Sequence, residues 1–424
     1  MQRAVGPAVS LALVLTCTLG TMLLGTSLKS RCADGDWGDG RQYELLCYSD
    51  IVPLLGTEQL GSGRLPFLQR CVEVPGQNCD EYPVLTMYFM RTAGWFSGDS
   101  YAGFFYVNAA LLLACAVITA VCLYVMVRGR ALYFALAPTL LIYGTMNWDL
   151  FAVALATGAL LAFFRRRDGW AGVLLGLGAA AKFYPAMLVV PLIAYRLKDR
   201  EPDRAITLGW TVVGTWLAVN LPFAIASPSG WFEFFRFNSA RLADFDSLWY
   251  LACRQLDMCF QVRTINVASA LLFLGSFVAV WAIKARRDPG FSRWSLGLPL
   301  VVLFLLTNKV YSPQYGLWLL PWFALALPDL RAFIAFSVAD AAVFVTRFTW
   351  FGQMQGLGGA SQGQFEVAIL LRTLVLLWCL VAWIRREPRP IAIELPAPAE
   401  DPDVEAELVA EPVAEPPPTP RFPA

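Results

Sequence analysis

Histidine is absent from the 424 residues of this chain. Histidine is the side chain whose unperturbed pKa lies nearest neutral pH, so its absence excludes Ser-His-Asp hydrolysis, Cys-His hydrolysis and histidine-ligated metal sites. The other metal-binding residue types form no cluster with coordination spacing, and we therefore expect neither a metal ion nor another cofactor. Any proton transfer falls to Asp, Glu, Lys, Tyr or Cys.

Charged residues are scarce as well. Asp, Glu, Lys and Arg make up 15% of the sequence and hydrophobic residues 57%, whereas soluble domains carry about 25% charged residues. The formal net charge is +1, and no basic patch with interleaved aromatic residues occurs, so we expect no nucleic-acid partner. The composition predicts an all-α polytopic membrane protein that is surrounded largely by membrane lipids.

Long apolar runs recur along the chain. A helix that crosses the hydrocarbon core needs about 20 apolar residues. We predict twelve spans, within a range of ten to thirteen, because several runs are shorter than that. The stretches 131–164 and 169–195 allow short or broken helices in place of full crossings. The predicted spans are 6–28, 103–127, 131–145, 148–164, 169–181, 183–195, 205–226, 264–283, 294–307, 315–327, 332–348 and 367–384.

The first apolar run follows Arg3 and has two interpretations. A secretory signal peptide is one of them. The run from Val5 to Leu24 is long for the hydrophobic part of a signal peptide, and no small-x-small cleavage site precedes Lys29. We therefore expect a retained first span.

Short basic loops predict the orientation. With twelve spans, Arg3 and the short Arg- and Lys-rich loops all fall on one side, which the positive-inside rule makes cytoplasmic. The long loops 28–102 and 227–263 then lie outside a plasma membrane, and both termini lie in the cytoplasm. Residues 387–424 are rich in Pro, Ala and Glu, which predicts a disordered cytoplasmic tail after a membrane domain of residues 1–386.

Cysteine positions agree with this orientation. Four cysteines fall in the first long loop and two in the second, and even numbers in an oxidising compartment are typical of disulfides. The short closures Cys71–Cys79 and Cys253–Cys259 are favoured, which leaves Cys32 to pair with Cys47, although sequence alone does not fix the connectivity. The other four cysteines, in apolar runs, are expected to be small hydrophobic residues.

Four polar segments interrupt the apolar pattern, and each has a plain interpretation beside a functional one. The carboxylates near Asp50, Glu81 and Tyr82 suit either a solvated loop or a segment at the membrane surface. The segment NWDL suits a turn with a helix cap or the lining of a headgroup site. Lys182, with no acidic neighbour in sequence, either extends to the interface or contacts a phosphate. In the segment NKVYSPQY, a lysine precedes a helix that Pro313 would begin. The N-terminus of a helix favours a bound anion.

These segments share one predicted side of the membrane, so we expect one extracytoplasmic site. The succession CYSDI, EYPVLT, NWDL, AKFYP and NKVYSPQYGLWLLP resembles the actinobacterial membrane proteins of glycosyltransferase family 87. They are similar to a polyprenyl-phosphate-mannose-dependent mannosyltransferase of glycolipid synthesis. The resemblance covers the chain from Met1 to Arg386.

The resemblance implies a fold of the GT-C type, with about 12 spans and a catalytic acid in the first outer loop. It implies an inverting transfer of a hexose, with mannose expected, from a polyprenyl-phosphate donor to a hydroxyl of a glycolipid or glycan acceptor. Asp50 falls at the position of the general base. A transporter or flippase of lipid-linked sugars is the alternative. The predicted donor-phosphate contacts are Lys309, Lys182, Tyr311 and Gln314, and the predicted supporting residues are Asp149, Asn147, Glu81 and Tyr82.

Overall fold

The computed structural model describes residues 9–72, 79–386 and 391, and these residues form helices, turns and loops without a β-strand. The prediction of an all-α chain is confirmed. The helices are α1 (Leu11–Lys29), α2 (Arg41–Glu44), α3 (Ile51–Thr57), α4 (Val84–Ser97), α5 (Tyr101–Val127), α6 (Leu132–Ala135), α7 (Pro138–Tyr143), α8 (Asp149–Phe164), α9 (Asp168–Ala181), α10 (Tyr184–Met187), α11 (Val189–Lys198), α12 (Pro202–Ala226), α13 (Pro228–Ala240), α14 (Leu248–Leu256), α15 (Val262–Arg287), α16 (Gly297–Thr307), α17 (Leu320–Leu325), α18 (Leu330–Met354) and α19 (Gln362–Arg385), with 3-10 turns at Ser30–Cys32, Arg128–Ala131, Arg293–Leu296 and Pro313–Leu319.

Six of the described helical segments are long and apolar enough to cross a membrane. Local sequence explains where several of them begin. Ser10 accepts a hydrogen bond from the backbone N–H of Leu13, Ser100 does the same for Gly103, and Ser361 forms a capping box with Gln364. Such side chains satisfy the free N–H groups of a first turn. The six segments are Leu11–Cys32, Tyr101–Ala135, Pro202–Ala226, Val262–Arg287, Leu330–Met354 and Gln362–Arg385.

The remaining predicted spans are shorter, so the count of twelve is not confirmed. The predicted span 131–145 consists of α6 and α7, and Pro138 begins α7 because proline lacks the N–H that a continuous helix needs. The predicted span 183–195 is divided into α10 and α11, and 315–327 consists of a 3-10 turn followed by α17. The stretches 131–164 and 169–195, for which short or broken helices were the alternative to full crossings, contain such helices.

Helices α8, α9 and α12 pack against one another in sequence order. The contact between α9 and α12 depends on two glycines one helical turn apart. A Cβ atom on Gly172 would lie 1.8 Å from Thr211 Oγ1, and one on Gly176 would lie 2.7 Å from Thr215 Cβ. Small residues at this spacing allow membrane helices to approach closely. The three helices therefore form one rigid unit, and the polar residues at its two ends are different.

The described parts of both long loops are folded. The first contains α2, α3 and α4, and the second contains α13 and α14. The structure joins Cys32 to Cys47, Cys71 to Cys79 and Cys253 to Cys259. The predicted tail of residues 387–424 lies outside the described residues, apart from Ile391.

Candidate active site

A cavity of about 560 Å³ lies where the first long loop meets the ends of α8, α9 and α16. Its walls also include the end of α13 and the segment after it. The structure brings together residues that are remote in the sequence, such as Asp50 and Gln314, which are 264 positions apart. Of the predicted site residues, those that line the cavity are Asp50, Glu81, Tyr82, Asn147, Lys182, Lys309 and Gln314.

The carboxylate of Asp50 is held by neutral hydrogen-bond donors. Tyr48 donates its hydroxyl to Asp50 Oδ1 at 2.8 Å, and the amides of Asn147 and Gln314 donate to Oδ2 at 2.8 and 3.4 Å. Asp50 forms no ion pair with any residue that the structure describes. A carboxylate positioned by neutral donors keeps a fixed direction without the strong stabilisation that a contacting cation would give. Asp50 is therefore an oriented carboxylate in the wall of the cavity.

The backbone on either side of Asp50 is fixed to the turn between α7 and α8. The N–H of Asp50 donates to the carbonyl of Met146 at 2.9 Å. The hydroxyl of Ser49 donates to the carbonyl of Thr145 at 2.8 Å and is fully buried. The outer loop and the turn that carries Asn147 therefore form one unit, although about a hundred residues separate them.

Lys182 has an acidic partner that is remote in sequence. Its ammonium lies 3.2 Å from Asp149 Oδ2 and 3.4 Å from Asn147 Oδ1. Trp318 donates its indole N–H to Asp149 Oδ1 at 2.7 Å. The antiparallel helices α8 and α9 bring the start of one next to the end of the other, which gives Lys182 an acidic neighbour that the order of the sequence did not show. Asp149 lies behind the cavity wall and neutralises Lys182.

Lys309 and Arg241 are the more available cations. Lys309 donates only to the carbonyl of Ser239, at 3.2 Å, among the described residues. Arg241 lies 3.5 Å from one oxygen of Asp244 and remains 37% exposed at its side chain. Burial and the positive charge of Arg241 lower the pKa of Lys309 to about 8. Two cations in one cavity repel each other, and an anionic ligand would relieve that repulsion.

Glu81 is a second carboxyl group in the cavity, and its side chain forms no hydrogen bond or ion pair with the described residues. Burial raises its pKa to about 7, against the opposing charge of Arg241 and with a further increase from Asp50. The group lies in the outer loop before α4, outside the long helices. It therefore titrates within the physiological range, unlike an ordinary exposed glutamate.

Tyr311 does not line the cavity, so its predicted contact with a donor phosphate is not supported. Its ring lies 3.7 Å from the guanidinium of Arg372, which is itself buried between Asp246 and Asp340. This buried network continues to the cavity wall through Arg347, which contacts Asp246 and lies 3.0 Å from Asp244. The network attaches the segment after α13 to α18 and α19.

Arg241, Tyr48 and the buried network were not predicted from the sequence. Arg241 had no distinguishing signal, because the loop 227–263 contains four arginines and long loops cross the membrane largely regardless of their charge. Tyr48 lies two residues before Asp50 within the segment CYSDI. Nothing in the sequence pattern connects Arg347 with Asp244 and Asp246, about a hundred positions earlier.

Comparison with known proteins adds a family assignment. The solved structure of ArnT from Cupriavidus metallidurans bound to undecaprenyl phosphate aligns with a TM-score of 0.44 and 12% identity, over 88% of this chain and 76% of that one. No curated protein matches the chain. The family description "Glycosyltransferase family 87" matches residues 81–307, more than half of the sequence. The match includes Glu81, Asn147 and Lys182 but ends before Lys309. The chain therefore belongs to glycosyltransferase family 87 and is a membrane glycosyltransferase.

Proposed function

We propose that this enzyme transfers a hexose, with mannose expected, from a polyprenyl-phosphate donor to a hydroxyl of a lipid-linked or cell-envelope acceptor. The observation that carries the proposal is the composition of one cavity. It holds the carboxylate of Asp50, oriented by Tyr48, Asn147 and Gln314, together with the cations Lys309 and Arg241. A base and an anion site in one cavity suit the transfer of a sugar from a phosphate to a hydroxyl.

In the proposed reaction Asp50 is the general base. It accepts the proton of the acceptor hydroxyl while that oxygen forms a bond to the anomeric carbon. The bond between the anomeric carbon and the phosphate oxygen breaks, and polyprenyl phosphate leaves with the bonding electrons. Attack opposite the leaving group inverts the anomeric configuration. One carboxylate is sufficient because a phosphate leaves without protonation, in contrast to the paired carboxylates of glycoside hydrolases.

The donor phosphate would lie against Lys309 and Arg241. These side chains come from the segment after α16 and from the segment after α13, so both must be in place for the site to form. Lys182, whose charge Asp149 balances, is better placed to orient Asn147 than to bind the phosphate. Gln314 donates to Asp50 Oδ2, the same oxygen that Asn147 contacts, and would help to fix the carboxylate.

An apolar cavity beside the first one suits the lipid part of a donor. It has a volume of about 320 Å³ and shares Pro83, Phe183 and Phe234 with the larger cavity. Its other walls are mainly the apolar side chains of α12 and α13, including Trp216 and Trp231. A polyprenyl chain leaving the phosphate site would therefore enter apolar surroundings, as its transfer free energy requires.

Transfer by purified membranes tests the proposal. Membranes that contain the protein receive labelled polyprenyl-phosphate mannose and a lipid acceptor, and the labelled product is measured. We expect Asp50→Asn to lower the rate at least about 100-fold, the contribution typical of a general base. Asp36→Asn is the matched control, because Asp36 is exposed in the same loop. Full transfer by Asp50→Asn would reject Asp50 as the base. Movement of the lipid-linked sugar across the membrane without transfer would favour the flippase alternative.

We also propose that the cavity faces the extracytoplasmic side of the plasma membrane and that both termini are cytoplasmic. The distribution of basic loops supports this orientation. After reduction of intact cells, an impermeant thiol reagent should label Cys71, Cys79, Cys253 and Cys259 from outside. Labelling that requires permeabilised cells would reverse the orientation. Cys115 is a built-in control, because it is buried within α5 and free of any disulfide.

A further inference from the structure

A second polar cleft lies at the opposite end of the α8–α9 pair from the catalytic cavity. Asp149 begins α8 at the cavity, and Arg165 follows its last residue. The helix has 16 residues, so the two ends are about 24 Å apart along its axis. The cleft has a volume of about 460 Å³, and its walls come from the loop before α9 and from the first turns of α9 and α12. The lining residues are Arg166, Arg167, Asp168, Gly169, Trp170, Arg204 and Thr207.

Three arginines line this cleft, and its acidic residue is already satisfied. Asp168 accepts two hydrogen bonds from Arg196, at 2.8 and 3.2 Å, and one from Arg204, at 3.0 Å. Arg166 contacts Glu201 but keeps 37% of its side chain exposed. The side chain of Arg167 forms no hydrogen bond or ion pair with the residues that the structure describes.

The segments around the cleft carry an excess of positive charge. Residues 165–168 and 196–204 contain seven basic and four acidic side chains. Besides Asp168 and Glu201, the segments contain the acidic residues Asp199 and Asp203. Neither Asp199 nor Asp203 lines the cleft. An oxyanion that enters the cleft would therefore meet unpaired guanidinium N–H groups, which form strong charge-assisted hydrogen bonds with phosphates.

The surface beside the cleft is apolar and exposed. Trp170 is 64% exposed at the start of α9, while Ile206 and Trp210 on α12 are 55% and 72% exposed. Tryptophan is enriched where a membrane protein meets the lipid headgroups. The glycine contact between α9 and α12 holds the two helices together below the cleft, so its walls have a fixed separation. The cleft thus combines an anion site with a surface for acyl chains.

We propose that this cleft binds the headgroup phosphate of an anionic phospholipid in the leaflet opposite the catalytic cavity. Arg166, Arg167 and Arg204 would contact the phosphate, and the acyl chains would lie along Trp170, Ile206 and Trp210. Basic pockets between membrane helices are known to hold anionic headgroups. The bound lipid would brace the α8–α9 pair, whose other end carries Asp149 and Lys182.

Titration of the full-length protein in neutral detergent tests this site. Short-chain phosphatidylglycerol, short-chain phosphatidylcholine and inorganic phosphate are added separately, and the bound species are counted by native mass spectrometry. We expect saturable binding of one phosphatidylglycerol that exceeds the binding of the other two probes. Loss of one guanidinium should weaken binding about fivefold, so Arg167→Gln is the first variant. Arg286→Gln is the control, because Arg286 is an exposed arginine at the end of α15, outside the cleft.

A second substitution sharpens the result. Arg167→Gln combined with Arg204→Gln should weaken binding about 25-fold, with the thermal unfolding midpoint recorded to detect loss of the Arg204–Asp168 contact. Equal binding of phosphatidylcholine and phosphatidylglycerol would overturn the proposal. So would unchanged affinity in Arg167→Gln, because the Arg167 side chain has no hydrogen bond or ion pair with the described residues that the substitution would disturb. Binding of inorganic phosphate as tight as that of the lipid would assign the cleft to a soluble anion instead.

Discussion

The side-chain amide of Asn147 donates a hydrogen bond of 2.8 Å to Asp50 Oδ2. The same amide group donates to the hydroxyl of Tyr82 at 2.7 Å, so both of its hydrogens are used. Its oxygen accepts from Lys182 at 3.4 Å. Asn147 therefore connects the proposed base to the Lys182–Asp149 pair without placing a charge on the base.

This relationship predicts that Asn147→Ala lowers kcat/KM for transfer at least about tenfold, because one hydrogen bond to a charged group contributes about 1.5–3 kcal/mol. The measurement is the transfer rate at varied acceptor concentration. The double variant with Asp50→Asn serves as the control, since residues that act as a unit are not additive. Full additivity of the two losses would mean that Asn147 acts elsewhere.

Glu81 predicts a dependence of stability on pH. Its pKa is about 7 in the folded protein against an ordinary value of 4.5, so the folded state binds more protons between these values and stability falls as pH rises. Glu81→Gln removes this cost, and we expect stabilisation on the order of 2 kcal/mol above pH 7 and little at pH 4.5. Thermal unfolding in detergent at pH 5 and pH 8 measures the difference.

Glu44→Gln is the matched control for this experiment, because Glu44 is exposed in the same outer loop. It should leave the unfolding midpoint unchanged at both pH values. A stabilisation by Glu81→Gln that is larger at pH 5 than at pH 8 has the wrong sign and would reject the interpretation.

Lys309 predicts a dependence of donor binding on pH. Its pKa is about 8 because of burial and the charge of Arg241, so the ammonium is present below that pH and lost above it. The KM for the polyprenyl-phosphate donor should therefore rise above pH 8 in the wild type. Lys309→Met should raise KM about tenfold at pH 7, as expected for the loss of one charged contact. Lys309→Arg should restore binding and remove the alkaline rise, and an unchanged rise would locate the titrating group elsewhere.

Arg372 predicts a large effect on stability. Its guanidinium is 1% exposed and lies 3.4 Å from Asp246 and 3.6 Å from Asp340. Arg372→Met leaves the buried carboxylate of Asp340 without its cation, while Asp246 keeps Arg347; breaking a buried ion pair in this way costs about 3–5 kcal/mol and should lower the thermal unfolding midpoint. Adding Asp340→Asn should recover part of the loss.

Arg236→Met is the control. Because Arg236 belongs to an exposed ion pair, its replacement should change stability by less than about 1 kcal/mol. Equal effects of the two arginine substitutions would show that the buried network does not hold α18 and α19.

The sequence was sufficient to predict that distant polar segments converge, since they shared one predicted side of the membrane. It did not pair Lys182 with Asp149, because the lysine has no acidic neighbour along the chain and the pairing depends on the antiparallel packing of α8 and α9. The direction of Tyr311 was also not predictable, because the segment before Pro313 is not helical and has no regular periodicity.

The number of spans was harder to predict for a different reason. Hydropathy detects apolar residues but not the point at which a helix ends, and α6, α7, α10, α11 and α17 are apolar pieces of ten residues or fewer. Prolines and 3-10 turns divide these runs. The short helices pack against neighbouring helices, which supply contacts that a single short helix in lipid would lack.

The length of α8 has a consequence for the bilayer itself. Its 16 residues extend about 24 Å, whereas the hydrocarbon core of a typical bilayer is about 30 Å thick. No residue of α8 is exposed, so neighbouring helices rather than lipid surround it, and the residues at its ends can lie below the headgroups. We therefore expect transfer rates in vesicles to depend on acyl-chain length, with thicker membranes separating the phosphate of the donor from the level of Asp149 and Lys182.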